Sequence, residues 1–144
     1  MSYWIFKCNP ARFRIDERLA DPEPETSWLV TRYRDEIVPG DTAFIWRTGK
    51  VGGICAVMSV DTFPQEVGEV PADARHWVDQ RENKPQWRVL GRFTHRIPCI
   101  TRAVLRAVHE LVALSVFHGF QQATNFRVSD AEGRVLMRIV EKTR

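Results

Sequence analysis

Apolar positions in this chain come mostly in short runs or alternate with polar ones until residue 100, and take sustained helical spacing after it. Residues 2–8, Ser2-Tyr3-Trp4-Ile5-Phe6-Lys7-Cys8, are aromatic and β-branched and predict a first strand, which Asn9-Pro10 ends. Residues 15–19 predict one helical turn. The prolines at 22 and 24 make residues 21–25 a rigid acidic loop. Thr26 and Ser27 are helix-capping types. With Trp28, Leu29 and Tyr33 spaced to share a face, they predict a short helix over 28–36.

The stretch 37–60 is the organising element of the chain. Pro39-Gly40-Asp41 is a turn signal, and Ala43-Phe44-Ile45-Trp46 reads as a buried strand. Arg47-Thr48-Gly49-Lys50 supplies a loop, and 51–60 a second strand, so the pair predicts a hairpin. Gly52-Gly53 mark either a bulge or a place where another group approaches the backbone.

Residues 63–74 read as loop, with Pro64, Gly68 and Pro71, and 75–84 as an exposed polar segment around Trp77. In 85–96, Trp87, Val89 and Phe93 keep period two, which predicts a strand with Arg88, Arg92, Thr94 and Arg96 on its other face. Thr101 then caps a helix over 102–117 carrying Val104, Leu105, Val108, Leu111, Val112 and Val116, with Gly119 as its C-terminal cap. Residues 121–128 read as loop or short strand. Ser129-Asp130-Ala131-Glu132 matches a capping box ahead of a final helix with Val135, Leu136, Ile139 and Val140. The order predicts an α+β fold: a curved sheet or small β-barrel flanked by helices, as a single domain over 1–144.

Composition narrows the class. At 144 residues, 44% hydrophobic and 27% charged, the chain is globular in character. No run is long enough to span a bilayer and no leader pattern opens the chain, so a soluble cytoplasmic protein with no membrane partner is expected. Three scattered cysteines without a CxxC pair argue against a disulfide framework or zinc site and read as buried thiols. A net charge of +3 and a pI near 9.0, mostly from arginine, permit nucleic-acid contact without requiring it. Five tryptophans each need a large niche or a flat ligand.

With these elements in order, the chain resembles a known family. Trp4-Ile5-Phe6-Lys7-Cys8-Asn9-Pro10 is similar to the opening strand of EVE domains, of the PUA-like fold, where W-[LI]-x-K-S-[NE]-P is usual. Trp28 with the basic Thr31-Arg32-Tyr33-Arg34, the Gly40-Asp41 turn, the strand ending in Trp46, Gly53-Ile54-Cys55-Ala56, and Pro85-Gln86-Trp87-Arg88-Val89 come in family order over 3–93. YTH domains, which read methylated adenine in RNA, share the layout less closely. The resemblance implies DNA or RNA carrying a modified base, such as a modified cytosine, as partner. The base would enter a pocket at the barrel mouth, stacked on aromatic residues and hydrogen-bonded at its edge. It implies no cofactor.

Carried onto this chain, the resemblance makes Trp28, Trp46, Cys8, Asn9 and Gly53 candidate pocket residues. Arg12, Arg32, Arg34 and Arg47 become candidates for phosphate contact. Each has a plainer reading: core packing for the tryptophans, a turn for Asn9, a bulge for Gly53 and solvated surface for each arginine. Cys8 departs from the family's serine, and a thiol is a weaker donor than a hydroxyl. Trp4 and Trp87 are expected in the core, and Trp77 as a lid or second stacking surface.

The four histidines lie in different elements. No HExxH, HxE with PCxxC, GxSxG or glycine-rich phosphate loop is present, so no catalytic constellation or metal site is expected. The function expected is non-catalytic recognition of a modified base. A metabolite- or partner-binding module and a nucleotide-acting enzyme on the same barrel are the alternatives.

Overall fold

The computed structural model describes residues 1–118 and 122–143. Seven strands build one mixed sheet: β1 Tyr3–Cys8, β2 Glu25–Leu29, β3 Thr42–Arg47, β4 Gly53–Val60, β5 Gln65–Val67, β6 Gln86–Thr101 and β7 Asn125–Val128. The order is β2-β6-β4-β3-β1-β7, with β5 also on β6. β1 and β3 run parallel and the other neighbours antiparallel. The helices are α1 Ile15–Ala20, α2 Pro71–Ala74, α3 Arg102–Arg106 and α4 Asp130–Thr143. The α+β expectation holds, but the sheet is curved rather than closed: β2 and β7 form no ladder with each other among the described residues. Side chains bridge that gap. Asn125 on β7 donates from Nδ2 to the Leu29 carbonyl at 3.0 Å and accepts the Thr31 N–H on Oδ1 at 2.8 Å.

Strand parity sorts the core into two layers, one on each face of the sheet. Ile5, Phe44, Trp46, Ile54 and Val57 pack with Leu136 and Val140 of α4 on one face. Trp4, Phe6, Ala43, Ile45, Ala56 and Met58 pack with Phe13, Trp28 and Val89 on the other. The capping box forms as expected. Ser129 N–H meets Glu132 Oε1 at 3.0 Å, and Glu132 N–H meets Ser129 Oγ at 3.1 Å. At the turn before β3, Asp41 accepts the Ser2 N–H, the Trp4 indole and the Val38 N–H.

The hairpin β3–β4 carries the expected irregularity. The pairing steps from Ile45–Ala56 to Trp46–Ile54, leaving Cys55 as the extra residue. The β4–β6 register breaks at the same place, where Pro98 has no N–H to offer. The group that comes close to Gly53 is the neighbouring strand. A Cβ there would collide with the Ile100 carbonyl of β6.

Four expectations need correction. The helix over 28–36 is absent: residues 25–29 are strand β2, paired with β6, and Tyr33 has φ 64°, outside the helical region. The helix over 102–117 stops at Arg106, and the chain continues as two 3₁₀ turns, His109–Leu111 and Ser115–Phe117. Val108 is extended there. Leu105, Leu111, Leu114 and Val116 still reach the core, so consecutive turns reproduce the helical spacing of apolar residues without a continuous helix. Arg88, expected on the solvent face of its strand, is fully buried. The predicted loop over 63–74 contains β5 and α2. The Gly119 cap and residue 121 of the predicted loop lie outside the described residues. No described helix is long and apolar enough to cross a membrane.

Candidate functional site

A cavity of about 860 Å³ opens where β1 and β3 end, lined on that side by Cys8, Asn9, Thr48 and Gly49. Its volume falls in the range of ligand pockets. The aromatic wall comes from three separate stretches. Trp28 on β2 meets Phe13 edge-on at 6.1 Å between ring centroids, and Phe13 meets Trp77 at 5.0 Å. A backbone bridge between Phe13 and Trp77 ties the two loops together. The indole N–H of Trp28 donates to the Lys7 carbonyl at 3.2 Å, which fixes its ring plane. Trp77 donates its N–H to Glu69 Oε2 at 2.8 Å.

Glu69 is the polar centre of this wall, its side chain 3% exposed. Its Oε1 forms an ion pair with Arg88 Nε and accepts the Ser27 hydroxyl at 3.3 Å. Behind it, Asp73 accepts from Arg18 at 2.6 Å, from Thr26 Oγ1 at 2.8 Å and from the Ser27 N–H at 2.8 Å. Arg88 and Arg18 are themselves buried. Arg88 donates to the carbonyls of Val67, Lys84 and Glu82. Two buried carboxylates thus sit beside one serine, each with its own arginine. Burial, and then the nearby Asp73 charge, push the Glu69 carboxyl up to about 7. A group titrating there works as an acceptor or a donor within the physiological range.

The cationic side of the cavity is Lys7, Arg12 and Arg102. Burial and the Arg102 charge lower the Lys7 ammonium. Arg12 reaches Glu82 at 2.8 Å but stays largely exposed.

Of the predicted pocket residues, Trp28, Cys8 and Asn9 come together at the cavity. Burial raises the Cys8 thiol well above its ordinary range, so it presents a neutral thiol. The Asn9 Oδ1 is taken by the Ala11 N–H at 2.9 Å, an Asx turn that shapes the rim. Trp46 is not a wall: it shares strand parity with Phe44, lies in the opposite core layer and is fully buried. It supports the cavity-lining Arg102, whose guanidinium carbon lies 5.7 Å from its ring centroid. Gly53 does not line the cavity either, because β6 occupies the space beside it.

Among the predicted phosphate contacts only Arg12 borders the cavity. Arg32 is spent on the Asn125 carbonyl at 2.7 Å. Arg34 covers the Trp87 ring, and Arg47 pairs with Asp16 at 2.7 Å. Trp77, expected as a lid or second stacking surface, does line the cavity. Glu69, Ser27, Phe13, Lys7 and Arg102 are additions that sequence reasoning misses. For Glu69 the one local signal is its place between Gly68 and Pro71, in a stretch that otherwise reads as loop.

Comparison with known proteins places this arrangement in a class and then a family. The fold is PUA-like, and the chain belongs to the EVE domain family, whose model matches residues 2–139. A hypothetical protein from Leishmania major is similar at TM-score 0.72 and 20% identity, over 99% of this chain and 96% of that one. A Pseudomonas putida protein gives 0.68 and 16%, over 96% and 99%. Human THYN1, solved in complex with 5-methylcytosine-containing DNA, gives 0.62 and 20% over 100% of both chains. These identities establish likeness of fold. Comparison with curated proteins gives no match.

Proposed function

We propose that this EVE domain binds DNA carrying a modified base, such as a modified cytosine, and performs no chemistry on it. The base turns out of the stack into the cavity. The observation that carries this reading is the wall of Trp28, Phe13 and Trp77 around a cavity with a buried polar centre. A flipped base loses its stacking neighbours, and aromatic faces return about 1–3 kcal/mol per base. Lys7, Arg12 and Arg102 supply positive charge at the mouth for the flanking phosphates. The DNA complex of human THYN1, a structural relative, supports modified cytosine as the class.

The test is fluorescence anisotropy with labelled duplexes of one sequence, carrying cytosine, 5-methylcytosine, 5-hydroxymethylcytosine or N6-methyladenine at one position, and the matching RNAs. The reading expects saturable binding that prefers one modified DNA base by about tenfold or more and weakens steeply with salt. Equal affinity for every oligonucleotide, or none for any, overturns it. A preference confined to RNA overturns the assignment to DNA.

A further inference from the structure

We propose that Glu69 reads the edge of the bound base, so that the pocket selects a base with an exocyclic amino group over its keto counterpart. This rests on the base-binding function proposed for the cavity and deepens it. A carboxylate has about four acceptor directions. Oε1 lies in an ion pair with Arg88 and shares the single Ser27 hydroxyl hydrogen with Asp73. Among the described residues Oε2 accepts only the Trp77 N–H, so it keeps an acceptor direction for a ligand. The carboxylate can accept one more hydrogen there and, once ionised, has none to give.

The chemistry that fits is a flat ring carrying an N–H donor at its edge. Cytosine presents its amino group in that manner. Thymine, with the same methyl group as 5-methylcytosine, presents a carbonyl at the equivalent position and would set acceptor against acceptor. The neighbours hold this geometry. Arg88 from β6 and Trp77 from its loop fix the two oxygens, while Asp73 of α2 lies behind Ser27, itself neutralised by Arg18. Lys7, Arg12 and Arg102 are the basic side chains around the same cavity. The ionised state of Glu69 is the reading state, so selectivity rises as pH passes upward through its titration near 7.

The experiment compares two duplexes identical except for a central 5-methylcytosine or thymine, each opposite an abasic site so that both bases flip at equal cost. Wild-type protein at pH 8 is expected to prefer 5-methylcytosine by about tenfold or more, and the preference to shrink at pH 6. In Glu69→Gln, whose amide can donate as well as accept, the preference is expected to fall within about threefold. Since Glu69→Gln removes the partner of buried Arg88, a variant that fails to fold leaves the decision to the wild-type pH series. Binding of both duplexes with equal affinity at pH 8 overturns the role of Glu69 while leaving base binding intact. So does a preference that Glu69→Gln retains, or one unchanged between pH 6 and 8. Binding of neither duplex, nor of any duplex carrying a modified cytosine or adenine, overturns the base-binding function and this inference with it.

Discussion

The Trp77 indole donates its N–H to the Glu69 carboxylate at 2.8 Å, which joins the aromatic wall of the cavity to its polar centre. A hydrogen bond to the charged form favours ionisation, so this contact holds the Glu69 carboxyl down against the upward push of burial. Trp77→Phe keeps a ring against Phe13 but loses the donor. The Glu69 titration should then move further above its value of about 7, as a carbon-13 carboxyl NMR titration would read. An unchanged or lower value would mean the bond does not form in solution.

The same carboxyl makes stability depend on pH. Its value in the folded protein, about 7, lies above its ordinary 4.5, so the folded state binds the proton more tightly than the unfolded one. The stabilisation from that proton is fully present below pH 4.5 and is lost as pH rises through 7. Urea unfolding at pH 5 and pH 8 should show wild type losing stability relative to Glu69→Gln across this interval, by an amount on the order of 3 kcal/mol. A difference of opposite sign would contradict the assignment.

Two buried tryptophans, 6% and 0% exposed, should separate by function. Trp28 borders the cavity and Trp46 lies on the other face of the sheet. Trp28→Ala should cost about 3–5 kcal/mol of stability, so the milder Trp28→Phe is the informative change. It should keep the fold and weaken DNA binding by about fivefold or more. Trp46→Phe should lower the unfolding midpoint yet leave the affinity of the folded protein within about twofold. Equal loss of affinity in both variants would place the stacking surface elsewhere.

At Gly53 the constraint is space. A methyl group would meet the Ile100 carbonyl, a backbone atom that cannot swing away. Gly53→Ala should therefore destabilise by about 1–3 kcal/mol, read from denaturant midpoints. A neutral result would show that the β4–β6 register can shift at the bulge.

The parts of this molecule legible in the sequence are those decided locally. Asn9-Pro10 ends β1, Ser129 and Glu132 form the capping box of α4, and Gly52-Gly53 lie beside the Cys55 bulge. Trp28 and Asn9 emerge as pocket residues through the resemblance to a family, since neither spacing nor composition marks them. What escapes depends on distant partners. Arg88 looks like any solvent-facing arginine until Glu69, carried in by the loop before α2, neutralises it. Trp46 looks like a wall residue until strand parity sends it to the α4 face. The segment after Arg106 has helical periodicity, but the extended Val108 breaks it into turns that bury the same leucines.

Base capture in this cavity is tested most directly through the five tryptophan indole N–H signals, observed in a proton–nitrogen correlation spectrum during titration with a 5-methylcytosine oligonucleotide. Saturable shifts are predicted at Trp28 and Trp77, whose rings border the cavity, while Trp4, Trp46 and Trp87 stay in place. Shifts confined to those other tryptophans, or saturated binding that moves none of the five, would contradict a base held in this cavity.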